Sequence, residues 1–257
     1  MAITTLEYAI LSKLKAADAL PSHPALLELG RSNWYGDVPL EQLLADLAVL
    51  VPDPARAAVL RARVQIAIQD PTAAGLFELG SVFWDMFLDP ARREAIDLHG
   101  LGDEHQFDLN QPVPLTDQYD IVVNFGTAEH VFNVYQVFKT IHERTLPGGM
   151  MLHGMPFQGW PDHGFFNFQP TFYIDLAQAN GYAVQALLYA ELNPPTIEDI
   201  SSRDAILARV KQGVAAHAMI FAVFRKPAKE IPFAVPFQGY YARQLTAEQE
   251  QAWIALR

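Results

Sequence analysis

Four short stretches carry residue types suited to holding a nucleoside, and each closes an apolar run: Glu28-Leu29-Gly30, Asp97, Asp108 and Asn124-Phe125-Gly126. A glycine after the first strand lets the backbone approach a ligand closely. An acid after the second can accept both ribose hydroxyl protons, and an acid or amide after the third can read an adenine amino group. Each acid also has an ordinary reading. Glu28 and Asp97 could cap the helices that follow them, and Asp108 ahead of Asn110 and Pro112 could organise a turn. Downstream, Glu129-His130, His153 and His163 are groups able to take or hold a proton near neutral pH.

Positioning these residues requires strands that end where they sit. Apolar runs with turn signals predict strands at Ala25–Leu29, Arg93–Leu98, Glu104–Asp108, Tyr119–Asn124, Met150–His153, Ala183–Tyr189 and Ala216–Phe224. Helical spacing runs through Leu40, Leu43, Leu44, Leu47 and Val51, and a second helix opens at Asp53-Pro54, an N-cap followed by proline. Further helices are expected at Thr72–Phe87, Val131–Arg144, Pro170–Asn180 and Ile197–Gln212. Gly181 and Gly213 act as stops, and Thr196 with Asp199 resembles a capping box. Strands alternating with helices predict an α/β fold with a mainly parallel sheet, whose ligands lie beyond the carboxyl ends of the strands.

The 257 residues fit one large domain, with residues 38–71 as a helical insertion after the first strand and 228–257 as a C-terminal arm. Apolar residues make up 51% of the chain, enough for a substantial core and too many for disorder. The 29 acidic against 18 basic residues give a net charge of −11, which argues against a nucleic-acid partner needing a basic face. The chain has no cysteine, so a thiolate metal site and a cysteine nucleophile are excluded. The opening MAITTLEYAILSKLKAADALP does not read as a signal peptide, and no apolar run approaches the ~18 residues of a membrane span. A cytoplasmic protein without a membrane partner is expected.

The most specific stretch is YDIVVNFGTAEHVFNVYQVFKTIHERTLPGGMMLHGMP, Tyr119 to Pro156. With AIDLHG at Ala95–Gly100, HQFDLNQPVP at His105–Pro114 and DHGFFNFQPTFYIDLAQANGY at Asp162–Tyr182, it resembles the class I S-adenosylmethionine (SAM)-dependent methyltransferases. The last stretch is similar to a bacterial subgroup that modifies sugars and secondary metabolites. The resemblance runs from about Leu26 to Phe224. It implies a Rossmann-like methyltransferase fold with a seven-stranded sheet flanked by helices. The loop after the first strand departs from the family: it reads Gly30-Arg31-Ser32-Asn33-Trp34, with Ser32 and Trp34 where small residues recur. The interval from Gly30 to Asp97 also far exceeds the ~20 residues of a dinucleotide-type unit. The helices at 38–71 account for it, as a lid or a dimer surface, which places a homodimer among the expected partners.

The resemblance implies SAM as cofactor. Glu28 would face the amino group of the methionine portion, Gly30 would allow close approach, Asp97 with Leu98 would bind the ribose, and Asp108 and Leu109 would flank the adenine. Asn124, Gly126 and Thr127 would line the cofactor beneath the reactive methyl. Transfer to a hydroxyl needs a base, for which His163 is the first choice and His153 the second, with His130 and Glu129 close in sequence. Trp160, Phe165, Phe166 and Phe168 could wall an acceptor pocket, and Asn167 and Gln169 could bond hydroxyls of a small metabolite or sugar. Glu129, His130, His153, Asp162 and His163 could also meet at a divalent ion, but no H-E-x-x-H spacing supports it and no metal is expected. The first turn lacks G-x-G-x-x-G, which disfavours a nicotinamide oxidoreductase. The alternative function is a methyltransferase-like binding or assembly module that has lost catalysis.

Overall fold

The computed structural model describes residues 2–100, 102–192 and 194–256. It divides into two compact units, Met1–Phe107 and Asp108–Arg257. The expected α/β class holds, and the seven strands of the main sheet are present, two in the first unit and five in the second. Among the described residues, no helix is long and apolar enough to cross a membrane.

In the first unit, strand β1 (Ala2–Ile3) pairs in parallel with β3 (Asn33–Trp34), and β2 (Ala25–Leu29) pairs in parallel with β4 (Arg92–Ile96). Helix α1 (Thr5–Ala16), which the sequence reading missed, starts on a capping box in which Thr4 and Glu7 satisfy each other's end. The insertion folds as α2 (Leu40–Leu50) and α3 (Pro54–Ala67), the latter capped by Asp53, and α4 (Ala73–Phe87) is capped by Thr72. Arg63 ties α3 to α4 by reaching Glu78 at 2.6 Å and Asp85 at 2.5 Å. Tyr8, Trp34, Phe83 and Phe87 form an aromatic core beside these helices. The strand expected at Glu104–Asp108 does not form. The chain makes one bridge, Ile96 to His105, then turns back as the Phe107 N–H donates to the His105 carbonyl.

In the second unit the strand order is β5 (Tyr119–Phe125), β6 (Thr145–Gln158), β9 (Ala218–Arg225), β7 (Ala183–Leu192), β8 (Pro195–Asp199). Helix α5 (Val134–Arg144) carries the chain from β5 to its parallel neighbour β6, as a parallel pair requires. After α6 (Pro170–Asn180), β7 leaves a gap beside β6 that β9 fills in antiparallel pairing with both. The sheet is therefore mixed. Strand β8 was not anticipated: Thr196 and Asp199, read as a capping box, belong to it, pairing with β7. Helix α7 (Arg203–Gln212) accordingly starts later than expected, on Ser202, whose hydroxyl accepts from the Ala205 N–H. Strand β9 starts at Ala218 because His217 sits at φ 59°, outside the extended region. The segment after it is irregular to about Arg243 and then forms α8 (Ala247–Ala255). It is tied down by the Asn180 amide donating to the Ala234 carbonyl at 2.9 Å and by Trp253 stacking on Tyr240 at 4.3 Å.

Candidate functional site

The first unit brings Gly30 and Asp97 together at the carboxyl ends of two adjacent parallel strands. Leu29 lies opposite Ile96, the Gly30 N–H donates to the Ile96 carbonyl at 2.6 Å, and Gly30 turns the chain at φ 79°. One residue on, the Arg31 N–H donates to Asp97 Oδ2 at 3.2 Å, across 66 positions of sequence, while Asp97 Oδ1 accepts from the His99 N–H at 3.1 Å. Both of these bonds come from backbone donors, so the carboxylate holds the turn and keeps lone pairs for a ligand's hydroxyls.

Glu28 is 2% exposed and faces the loop: its Oε2 accepts from the Ser32 N–H at 2.8 Å, and Arg93 lies 3.9 Å from its Oε1. Burial pushes its carboxyl above the usual carboxylate range, with Arg93 acting the other way. As placed, Glu28 shapes the loop. Arg31 points its guanidinium at Glu104 (2.5 Å) and over the Phe77 ring (5.4 Å). Helix α4 closes on the same loop at Gly80, where a Cβ would come 2.4 Å from the Ser32 carbonyl oxygen. A polar cleft of about 60 Å³ lined by Arg31, Arg93 and Glu104 adjoins these groups, while a wider one of about 970 Å³, along Tyr8, Gln42 and Asp46, contains none of the expected residues. Leu98 is exposed.

In the second unit, Asp108 is exposed and accepts from the Asn110 N–H (2.9 Å) and its amide (2.8 Å), a turn that lowers its carboxyl and fixes Asn110 against Asn133 at the start of α5. Leu109 is buried. Asp108 organises a turn through Oδ1, which is compatible with a ligand role for the same carboxylate. Asn124, fully buried at the end of β5, accepts from the Ala128 N–H at 3.1 Å, and its amide lies 3.4 Å from His153 Nδ1. Gly126 turns at φ 75°, donates to the Gly154 carbonyl, and leads through Thr127 into a single helical turn, Ala128–His130.

That turn presents a cluster. Glu129 is 1% exposed, and its Oε1 lies 3.6 Å from His163 Nε2 and 3.8 Å from His130 Nε2. Its Oε2 is buried without a hydrogen-bond partner, and burial raises the carboxyl to about 7. His130 is held below its ordinary value by burial and by the neighbouring His163. The loop 160–168 is seated by Phe165 and Phe166 donating to the Glu129 carbonyl and by the Trp160 indole donating to the Ala218 carbonyl at 2.9 Å. Gly164 makes the seating feasible: a Cβ there would lie 2.9 Å from the Glu129 oxygen and 3.1 Å from His130 Nδ1. Outside the cluster Phe132 and Phe165, both exposed, meet edge to face at 5.9 Å, whereas Phe168 is buried.

His153 is placed differently from His163. It is 1% exposed, ringed by Phe138, Tyr173 and Phe224, and burial drives it down to about 3, so it stands as a neutral core imidazole. The sequence reading missed Tyr173, whose buried hydroxyl has no partner among the described residues and is raised by burial and by the charge of Glu129. Lying on an apolar face of α6, it gave no signal. Tyr135 and Lys139 have the Tyr-x-x-x-Lys spacing of a hydride-transfer relay, yet Lys139 pairs with Glu143 at 3.1 Å and Tyr135 packs on Phe233, which separates their tasks.

The sequence matches no protein-family model and no curated protein. Solved structures similar to the chain include the N-methyltransferase NodS from Bradyrhizobium japonicum WM9 in complex with S-adenosyl-L-homocysteine, at 12% identity, 86% coverage of each chain and TM-score 0.47. Others are YjhP from E. coli, at 13% identity over 88% of this chain and 94% of that one with TM-score 0.41, and the glycopeptide N-methyltransferase MtfA, at 12% over 88% and 94% with TM-score 0.32. At this level of likeness the functional argument rests on the chain's own groups.

Proposed function

We propose that this protein is a SAM-dependent methyltransferase acting on a hydroxyl of a small metabolite or sugar. The observation that carries the proposal is Asp97: an acceptor-only carboxylate at the end of β4, bonded to the Gly30–Arg31 turn that ends β2, in the position where open α/β sheets hold a ribose. Gly30 leaves backbone space beside it. When bound, SAM supplies a methyl group on a sulfonium, poised for displacement. Of the residues the resemblance assigns to it, Gly30 and Gly126 have the backbone freedom for the task, Asp97 and Asp108 keep open lone pairs, and Glu28 serves the local fold.

On the acceptor side, His163 is half exposed with Nε2 toward the buried carboxylate of Glu129. That leaves Nδ1 to meet an acceptor's proton, while Glu129 orients the ring and steadies a charge on it. The exposed faces of Phe132 and Phe165 offer an apolar platform for a sugar or aromatic ring.

S-adenosylhomocysteine at 100 times its dissociation constant is expected to stabilise the protein by ~2.7 kcal/mol against thermal unfolding, and NAD to do nothing. No shift with either would favour the binding-module reading. Calorimetry on Asp97→Ala should show binding weakened by ~1.5–3 kcal/mol, the loss expected for hydrogen bonds to a charged acceptor. Undiminished affinity in a folded variant would remove Asp97 from the site.

A further inference from the structure

We propose that Glu129, His130 and His163 form a binding site for one divalent transition-metal ion of the zinc type. Their donor atoms, two imidazole nitrogens and a carboxylate oxygen, all lie within 4.8 Å of one another, and no other such group of three occurs among the described residues. Bonds of ~2.0–2.1 Å in tetrahedral geometry set donors roughly 3.3–3.4 Å apart. The observed 3.6 and 3.8 Å to Glu129 Oε1 are within a few tenths of an ångström of that, and the two histidine nitrogens, within 4.8 Å of each other, lie on half-exposed rings that can turn inward to close the rest.

Two independent features point the same way. Glu129 Oε2 is buried with no hydrogen-bond partner, and a carboxylate so placed costs free energy unless a cation or donor meets it. The loop bearing His163 is also pressed against the Glu129–His130 turn at Gly164, closer than any residue with a Cβ would allow, and pinned by the Phe165 N–H on the Glu129 carbonyl at 2.7 Å. The local fold therefore spends two backbone hydrogen bonds and an obligatory glycine on holding these three side chains together. An imidazole-rich set with one carboxylate suits zinc better than magnesium or calcium, which take oxygen ligands.

Three protein ligands leave a position open, as in catalytic rather than structural zinc sites. Combined with the transferase reading, on which this step alone rests, the open position would take the acceptor's oxygen. The ion would lower that hydroxyl's pKa so that the proton leaves to solvent, and His163 would then serve as a ligand rather than as the base.

The test is a zinc titration of chelator-stripped, purified protein in competition with a chromogenic chelator, without SAM. One equivalent is expected to bind. His130→Ala and His163→Ala should each weaken it at least ~10-fold, and the double variant should abolish it, while His23→Ala changes nothing. Both cluster histidines are half exposed, so these variants should fold. Wild-type uptake no greater than that of the double variant would overturn the proposal. S-adenosylhomocysteine stabilisation of the same preparations reports separately: a protein that responds to it but takes up no zinc loses the metal site and keeps the transferase reading.

Discussion

His163→Ala is expected to lower turnover on the true acceptor by ~10² to 10⁴ while leaving S-adenosylhomocysteine affinity within about twofold, the range for loss of a group that handles the reacting proton. The effect should be large because the one imidazole beside it among the described residues, His130, is held below its ordinary value by burial and is the weaker base. Glu129 beside it is shut from solvent, and His153 is enclosed by Phe138, Tyr173 and Phe224. The cost to folding should be small, since the His163 side chain is 42% exposed. Single-turnover and binding measurements on the same variant separate chemistry from affinity. Near-normal turnover would show that alignment alone suffices for transfer and would take His163 out of the reaction, whether as base or as metal ligand.

Acid should destabilise the protein through His153. Its folded value is depressed by burial to about 3, against ~6.5 for an unhindered imidazole. The unfolded chain therefore binds a proton that the folded core refuses. The stability that the neutral ring permits is complete above about pH 6.5 and is lost progressively as pH falls toward 3, to a total of roughly 4–5 kcal/mol. The groups facing the ring, Asn124, Phe138, Tyr173 and Phe224, include no carboxylate that could hold the imidazolium. Denaturant unfolding across this range, comparing wild type with His153→Leu, should show the variant's stability falling less steeply. Parallel curves would mean that His153 finds a partner or water when charged.

Much of the scaffold was legible because its signals are local. Asp53 before Pro54, Thr72 before an apolar run, and Pro170 with Gly181 bracketing α6 each act within a turn of the chain, and the helices begin and end there. Strand β2 runs over Ala25–Leu29 as its apolar run predicts. Where the reading failed, pairing with a distant partner overruled local preference. Thr196 and Asp199 make a plausible helix start, yet β7 offers that segment a ladder of hydrogen bonds, and the helix waits for Ser202. At Glu104–Asp108 the reverse holds, since a sharp turn at His105–Phe107 stops a strand the composition favours.

By itself the sequence determined which residues could do chemistry and, through glycines at turns, where the backbone must bend: Gly30 and Gly126 both adopt positive φ after their strands. It could not decide which polar groups would be free to act. Asp97 and Asp108 look equivalent as acids after strands, but Asp97 bonds across 66 positions to the Arg31 N–H, whereas Asp108 closes a local turn on Asn110. His153 and His163 are ten positions apart with the same ring, and only packing makes one a buried neutral core group and the other an accessible neighbour of Glu129. The Glu129–His130–His163 cluster has no fixed spacing to search for, because it depends on a loop brought back onto a turn through the missing side chain of Gly164. Burial and proximity are properties of the folded chain: they set the cost of charge and the reach of each donor, and no local signal encodes either.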